Sequence, residues 1–153
     1  MYAGVLLLHS WLRWAVLLAA LVVLVRSISG WATGRGWSRG DDGAGSAFVG
    51  ILDLQMLLGL LLYAWLSPIT WAAFADLGGA MRQPMLRFWA VEHVFGMVAA
   101  IVVAHVGRTR LRHATTDRQR HRITAISVGI AVLLVLATIP WPFMPYARPL
   151  FRW

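Results

Sequence analysis

Val5–Val25 reads VLLLHSWLRWAVLLAALVVLV, 21 residues in which only His9, Ser10 and Arg13 are strongly polar. A helix crosses the hydrocarbon layer in about 17–25 residues. Three further stretches have the same character: Ala47–Leu66, Phe88–Val106 and Ile123–Ile139, of 20, 19 and 17 residues. None alternates polar and apolar residues as a barrel strand does, and in lipid the remaining way to satisfy a spanning backbone is a helix. The expected fold is therefore all-α, an integral membrane four-helix bundle forming a single domain over residues 1–153. The first span has no basic segment ahead of it, carries Arg13 inside and lacks a small-residue cleavage site before Arg26. It is expected to be retained and not cleaved as a signal.

Composition agrees. Hydrophobic residues make up 59% and charged residues 13%, with a mean hydropathy of +0.68; soluble domains average about 45–50% and 25%. The absence of cysteine removes disulfides, thiolate metal sites, iron–sulfur clusters and covalently attached haem. The net charge of +8 comes from 14 Arg, with no Lys, against six acids. Six of those Arg fall in Arg108–Arg122 (RTRLRHATTDRQRHR), beside a single Asp, whereas the Leu66–Phe88 connection holds only Asp76, Arg82 and Arg87. The positive-inside rule then makes the first and third connections cytoplasmic and predicts an N-out, C-out topology. Trp11, Trp14, Trp65, Trp71, Trp89 and Trp141 cluster toward the outer side on that reading.

The connections carry little chemistry. Arg26–Ser46 is rich in glycine, but Gly34, Gly36 and Gly40 miss the dinucleotide spacing, and no Gly-Lys-Ser/Thr follows. Asp41-Asp42-Gly43 is too short for a calcium loop. This segment reads as a flexible turn, with Ser46 capping the second helix. The basic third connection lacks interleaved aromatics, so anionic lipid headgroups are the expected contact and nucleic acid is not. The tail from Pro140 to Pro149 holds four prolines and three aromatics. It cannot continue a helix and suits a strap along the outer interface that lids the bundle or docks a partner.

Function is sought among the polar residues inside the spans. Arg13, Asp53 and Glu92 each cost up to about 2.5–3.5 kcal/mol to insert at mid-membrane, and His9, Gln55, His93 and His105 join them. His9 lies four residues inside the outer edge of the first span, and His93 five inside the outer edge of the third. The two imidazoles thus sit at nearly one depth, as the axial ligands of a non-covalent haem b would. Gly96, three residues after His93 on the same face, leaves room for a porphyrin plane or for another helix. Arg13 is placed to meet a haem propionate or Glu92, and Glu92 to accept a ligand His N–H. The competing readings are plain hydrogen bonding by the two histidines, an Arg13–Glu92 ion pair, and a quinone headgroup in place of haem. His105 stands about 18 Å below His93 by helix rise, without a matching histidine on the first span. Its expected role is structural or quinone-related, and Asp53 has His105 and Arg26 as candidate partners.

Several segments carry a family resemblance: Leu8–Trp14 (LHSWLRW), Gln55–Tyr63 (QMLLGLLLY), Arg87–His93 (RFWAVEH), Ile139–Phe143 (IPWPF) and Arg148–Phe151 (RPLF). Together they resemble small bacterial four-span proteins labelled cytochrome b-like, nearly end to end. The resemblance carries over His9, Arg13, Glu92 and His93, and it implies a multi-pass protein of the bacterial inner membrane. The expected function is one-electron transfer through a bis-His haem b near the outer face, linked to quinol and to a membrane redox partner or larger complex. A homodimer completing the His pair across two copies is the alternative arrangement. The alternative function is a cofactor-free accessory subunit of a respiratory or photosynthetic assembly.

Overall fold

The computed structural model describes residues 1–151. Its elements are α1 (Tyr2–Thr33), α2 (Arg39–Leu61) continued by a π-helical turn (Leu62–Leu66), and the short helices α3 (Pro68–Ala75), α4 (Leu77–Arg82) and α5 (Pro84–Arg87). A second π-helical turn (Phe88–Glu92) leads into α6 (His93–Leu111), and α7 (Asp117–Thr138) closes the bundle. The described residues contain no strand. Four continuous helices, Tyr2–Thr33, Arg39–Leu66, Pro84–Leu111 and Asp117–Thr138, are long and apolar enough to cross a membrane. The chain is an all-α four-helix bundle of the membrane type.

The helices pack in the cyclic order α1, α2, α6, α7, and the α2–α6 seam is the loosest of the four. Ala20, Ala100, Ala104 and Ala131 are fully buried between them, and a Cβ on Gly107 would run into the Ser127 side chain. Small residues at the contacts let the backbones approach, which is how helices associate when lipid supplies no hydrophobic drive. The bulky apolar side chains instead face outward: Leu18, Leu57, Phe95, Val102 and Leu133 are all more than half exposed. In water such a surface would aggregate; in lipid it is solvated.

The first connection departs from the expected flexible loop. α1 runs just over two turns beyond Val25, and Gly34 ends it in the left-handed conformation, φ 71°, which glycine takes without a Cβ penalty. Ser38, not Ser46, caps α2, in a capping box with Asp41. The Asp41 carboxylate also accepts from Arg26 Nε (3.0 Å) and from both terminal nitrogens of Arg35 (2.8 and 2.9 Å). This acid lies six residues ahead of the apolar stretch that begins at Ala47. The Arg35 guanidinium beside it, helped by Ser38, holds its carboxyl well below the usual carboxylate range. Ser46 instead accepts from Arg108 (2.8 Å), which also pairs with Asp42 (3.0 Å) and ties α6 to α2. His121 of α7 is fully buried beside Gly30, meets the Trp37 ring at a tilt and donates Nε2–H to the Arg35 carbonyl (3.1 Å). Of the glycines that looked like loop residues, Gly30, Gly40 and Gly45 lie close against neighbouring side chains and Gly34 makes the one sharp turn.

At the opposite end the π turns face each other. The first leaves the Tyr63 carbonyl outside the regular ladder, where Thr70 Oγ1 donates to it (2.9 Å), and Tyr63 Oη donates across to Ala90 O of the second (2.8 Å). The proline-rich tail folds back over this end as a strap. Leu150 O accepts from Arg13 Nη2 (2.6 Å) and Trp14 Nε1 (3.2 Å), Phe151 stacks on Trp14, and Tyr146 stacks on Phe88 with centroids 3.7 Å apart.

Candidate functional site

A cavity of about 120 Å³ lies beneath the strap, between the four helices. Its polar lining includes His9, Gln55, Trp89, His93, Arg13 and Arg148, and most of the remainder is apolar. Such concave, apolar space with a few convergent polar groups is the usual form of a small-molecule site.

The two histidines meet there. Their ring centroids are 6.5 Å apart with an interplanar angle of 73°. Metal–imidazole bonds run at about 2 Å, which puts two imidazoles on opposite sides of one metal with centroids roughly 6 Å apart. His93 is oriented by the end of α7. In a continuing helix the Thr138 carbonyl would accept from the amide four residues on, but that residue is Pro142, which has none. His93 Nδ1–H takes this carbonyl instead, at 2.8 Å. A carbonyl only accepts, so this bond fixes the proton on Nδ1 and leaves Nε2 with the lone pair, the orientation usual for a ligating histidine.

His9 is held differently. The Gln55 amide donates to the His9 carbonyl (3.0 Å) and lies 3.4 Å from His9 Nε2. The ring packs edge-on against Gly59, where a Cβ would stand 3.1 Å from His9 Cε1. His9 Nδ1, Gln55 Oε1 and Trp89 Nε1 are buried without a hydrogen-bond partner, and all three belong to cavity-lining residues. Buried polar atoms are nearly always satisfied, so three around one cavity point to a polar occupant.

The other expected site residues fall elsewhere. Glu92 does not approach Arg13 or His93; it accepts from Arg87 Nε at 2.6 Å, on a side chain 40% exposed. The intervening π turn brings residues five apart onto one face, which spacing by the α-helical period could not anticipate. Gly96 faces α7, where a Cβ would lie 3.2 Å from Thr138 Cβ, so it serves helix packing and through it the Thr138–His93 bond. Arg13 lines the cavity but gives a hydrogen bond to the strap. Sequence reasoning missed Thr138, whose role lies in its carbonyl, and Gly59 as a neighbour of His9, whereas Gln55 was among the partners open to the histidines. Of the two partners open to Asp53, the structure gives His105, at 2.9 Å; Arg26 pairs with Asp41.

The donor set suits haem b. A porphyrin supplies four nitrogens to its iron and asks two axial ligands of the protein, and the two histidines stand at that separation. The arginines Arg13 and Arg148 at the strap side suit carboxylates. The cavity's volume, about 120 Å³, is near the roughly 150 Å³ that takes a single benzene ring, so a macrocycle also requires the bundle to widen around it.

Comparison of the chain with protein-family models, curated proteins and solved structures finds no match in any of the three.

Proposed function

We propose that this protein is a membrane b-type cytochrome that carries electrons through a haem held between His9 and His93. The observation that supports this most directly is the pair of imidazoles 6.5 Å apart inside the bundle, one with its Nδ1–H committed to a backbone carbonyl. The haem would supply the one-electron chemistry. His93, fixed by Thr138, would be the preset ligand. His9 would join by giving up the Gln55 amide, while Gln55 stays anchored to the His9 carbonyl. The strap, Trp89 and the apolar lining would exclude water, and Arg13 and Arg148 would hold the propionates. Under this reading the arginine-rich end is cytoplasmic, both termini are outside, and the host membrane is a bacterial inner membrane.

The test is a reduced-minus-oxidised spectrum with a pyridine haemochrome assay on the detergent-purified chain, expressed with ample haem supply. One low-spin b-type haem per chain is expected, lost in His9→Ala and His93→Ala. No haem in the wild type, or an unchanged spectrum in both variants, refutes the assignment. A cofactor-free accessory subunit is the second reading, supported by Trp65, Trp71 and Phe143, which are 69%, 56% and 79% exposed near the strap end. Co-purification with large redox subunits and a haem-free chain would decide for it.

A further inference from the structure

The cavity beneath the strap is too small for a macrocycle until the bundle widens, yet its histidines already stand at a metal-ligand spacing. Bonds of about 2 Å to an ion lying between two imidazoles put the ring centroids roughly 6 Å apart, and they are 6.5 Å apart here. A bare ion therefore fits between the rings with little movement, inside the existing volume of about 120 Å³. His93 offers Nε2, because its Nδ1–H is given to the Thr138 carbonyl. His9 Nδ1 is buried without a hydrogen-bond partner, and its Nε2 has only the 3.4 Å approach of the Gln55 amide.

The rest of the lining says which ion. Of the six methionines in the chain, Met56 and Met97 line this cavity. Met97 stands one turn after His93 on α6, and Met56 nearly one turn before Gly59, against which His9 packs. Methionine also serves as a gap-filler, but two thioethers in one cavity with two imidazoles make a soft donor set, the kind that selects cuprous copper. Hard dications find nothing to suit them. The described lining residues include Arg13 and Arg148 but no Asp or Glu, and among the described residues no three His, Cys, Asp or Glu side chains gather into a metal cluster. The cost of burying an ion rises with the square of its charge, so a doubly charged ion without a carboxylate partner is strongly disfavoured. Cuprous copper carries one charge and is satisfied by two or three neutral nitrogen and sulfur donors.

We propose that the closed bundle holds one cuprous ion between His9 and His93, with the Met56 and Met97 thioethers completing its surroundings. This site goes beyond the cytochrome reading and does not depend on it. Copper and haem call on the same two histidines, so one chain holds one or the other, and an ion in the closed bundle keeps haem out.

The test is anaerobic titration of the haem-free, detergent-purified chain with Cu(I), in competition with the chelator bicinchoninate. One ion per chain is expected, not displaced by Zn(II). His9→Leu and His93→Leu should each abolish binding. The double variant Met56→Leu with Met97→Leu conserves volume and so keeps the fold; it should weaken binding by about tenfold or more. No Cu(I) retained against the chelator, unchanged affinity in both histidine variants, or unchanged affinity in the methionine double variant overturns the proposal. Haem uptake is read on the same samples. The copper-loaded chain should take up no haem until the chelator strips the ion, whereas full copper and full haem on one chain would place the copper elsewhere and refute the shared site. The methionine double variant should still take up haem, since that needs only the histidines. Copper bound by a chain that never takes up haem keeps this site and removes the cytochrome; haem taken up by a chain that binds no copper does the reverse.

Discussion

Asp41→Ala probes the least expected part of the fold, the ordered junction between α1 and α2. The carboxylate is buried, its side chain only 2% exposed, and it accepts from Arg26, Arg35 and both the amide and hydroxyl of Ser38. In the variant, Ser38 keeps its own half of the capping box by accepting from the residue 41 amide. Loss of the other half costs about 1 kcal/mol. The two guanidiniums are 40% and 39% exposed and regain water, so each lost ion pair is worth at most about 1 kcal/mol. The total of roughly 2–3 kcal/mol corresponds, at about 2–4 °C per kcal/mol for a chain of this size, to a melting point lowered by roughly 5–10 °C. Tryptophan fluorescence during heating in detergent reads it, with Trp37 close to the junction.

The same variant has a pH signature. Because the Asp41 carboxyl is held below its usual range, its contribution is complete above about pH 4 and is lost as pH falls toward the folded-state value. The wild type should therefore lose melting temperature on acidification more steeply than Asp41→Ala, and the two curves should converge. A melting point unchanged within about a degree at neutral pH, or parallel pH profiles, would refute the idea that this carboxylate orders the junction.

Other perturbations separate packing from chemistry. Gly96→Ala sets a methyl against Thr138 and should displace the carbonyl that orients His93; a shifted haem spectrum with haem still bound is expected, and an identical spectrum counts against that chain of contacts. Gly30→Ala drives a methyl into the buried His121 ring and should lower the melting point by more than Asp41→Ala, read by the same fluorescence assay. Gly50→Ala meets open space and should be neutral or stabilising by about 0.4–1 kcal/mol. Gln55→Leu removes the amide beside His9 Nε2 and should raise the low-spin fraction at limiting haem; a fall would show that Gln55 supports ligation and does not compete with it.

The spans were legible because hydropathy over some twenty residues is a strong, local signal, and each apolar stretch became a membrane-length helix. The Arg26–Ser46 connection was misjudged because glycine content outweighed a quieter sign: Ser38 followed three residues later by an acid, the mark of a capped helix start. The meeting of His9 and His93 was legible by counting depth along two parallel helices, a calculation that needs only the helical rise. Glu92 was not, because one residue's rotation sends neighbouring side chains in different directions and a π turn then changes the period. Thr138 was invisible in principle. Its contribution is a backbone carbonyl released by a proline four residues on, and only the approach of α7 to α6 brings it to His93.

The strap also bears on how the cavity is filled. Pro140, Arg148 and Pro149 line it, and Leu150 is fastened to α1, so the strap covers the cavity from its own side. A ligand entering from that side has to arrive before the strap docks, or lift it off. Entry past a docked strap has to come sideways out of the bilayer, and the α2–α6 seam, the loosest of the four, offers the least resistance. Filling is thus a race between strap docking and ligand entry.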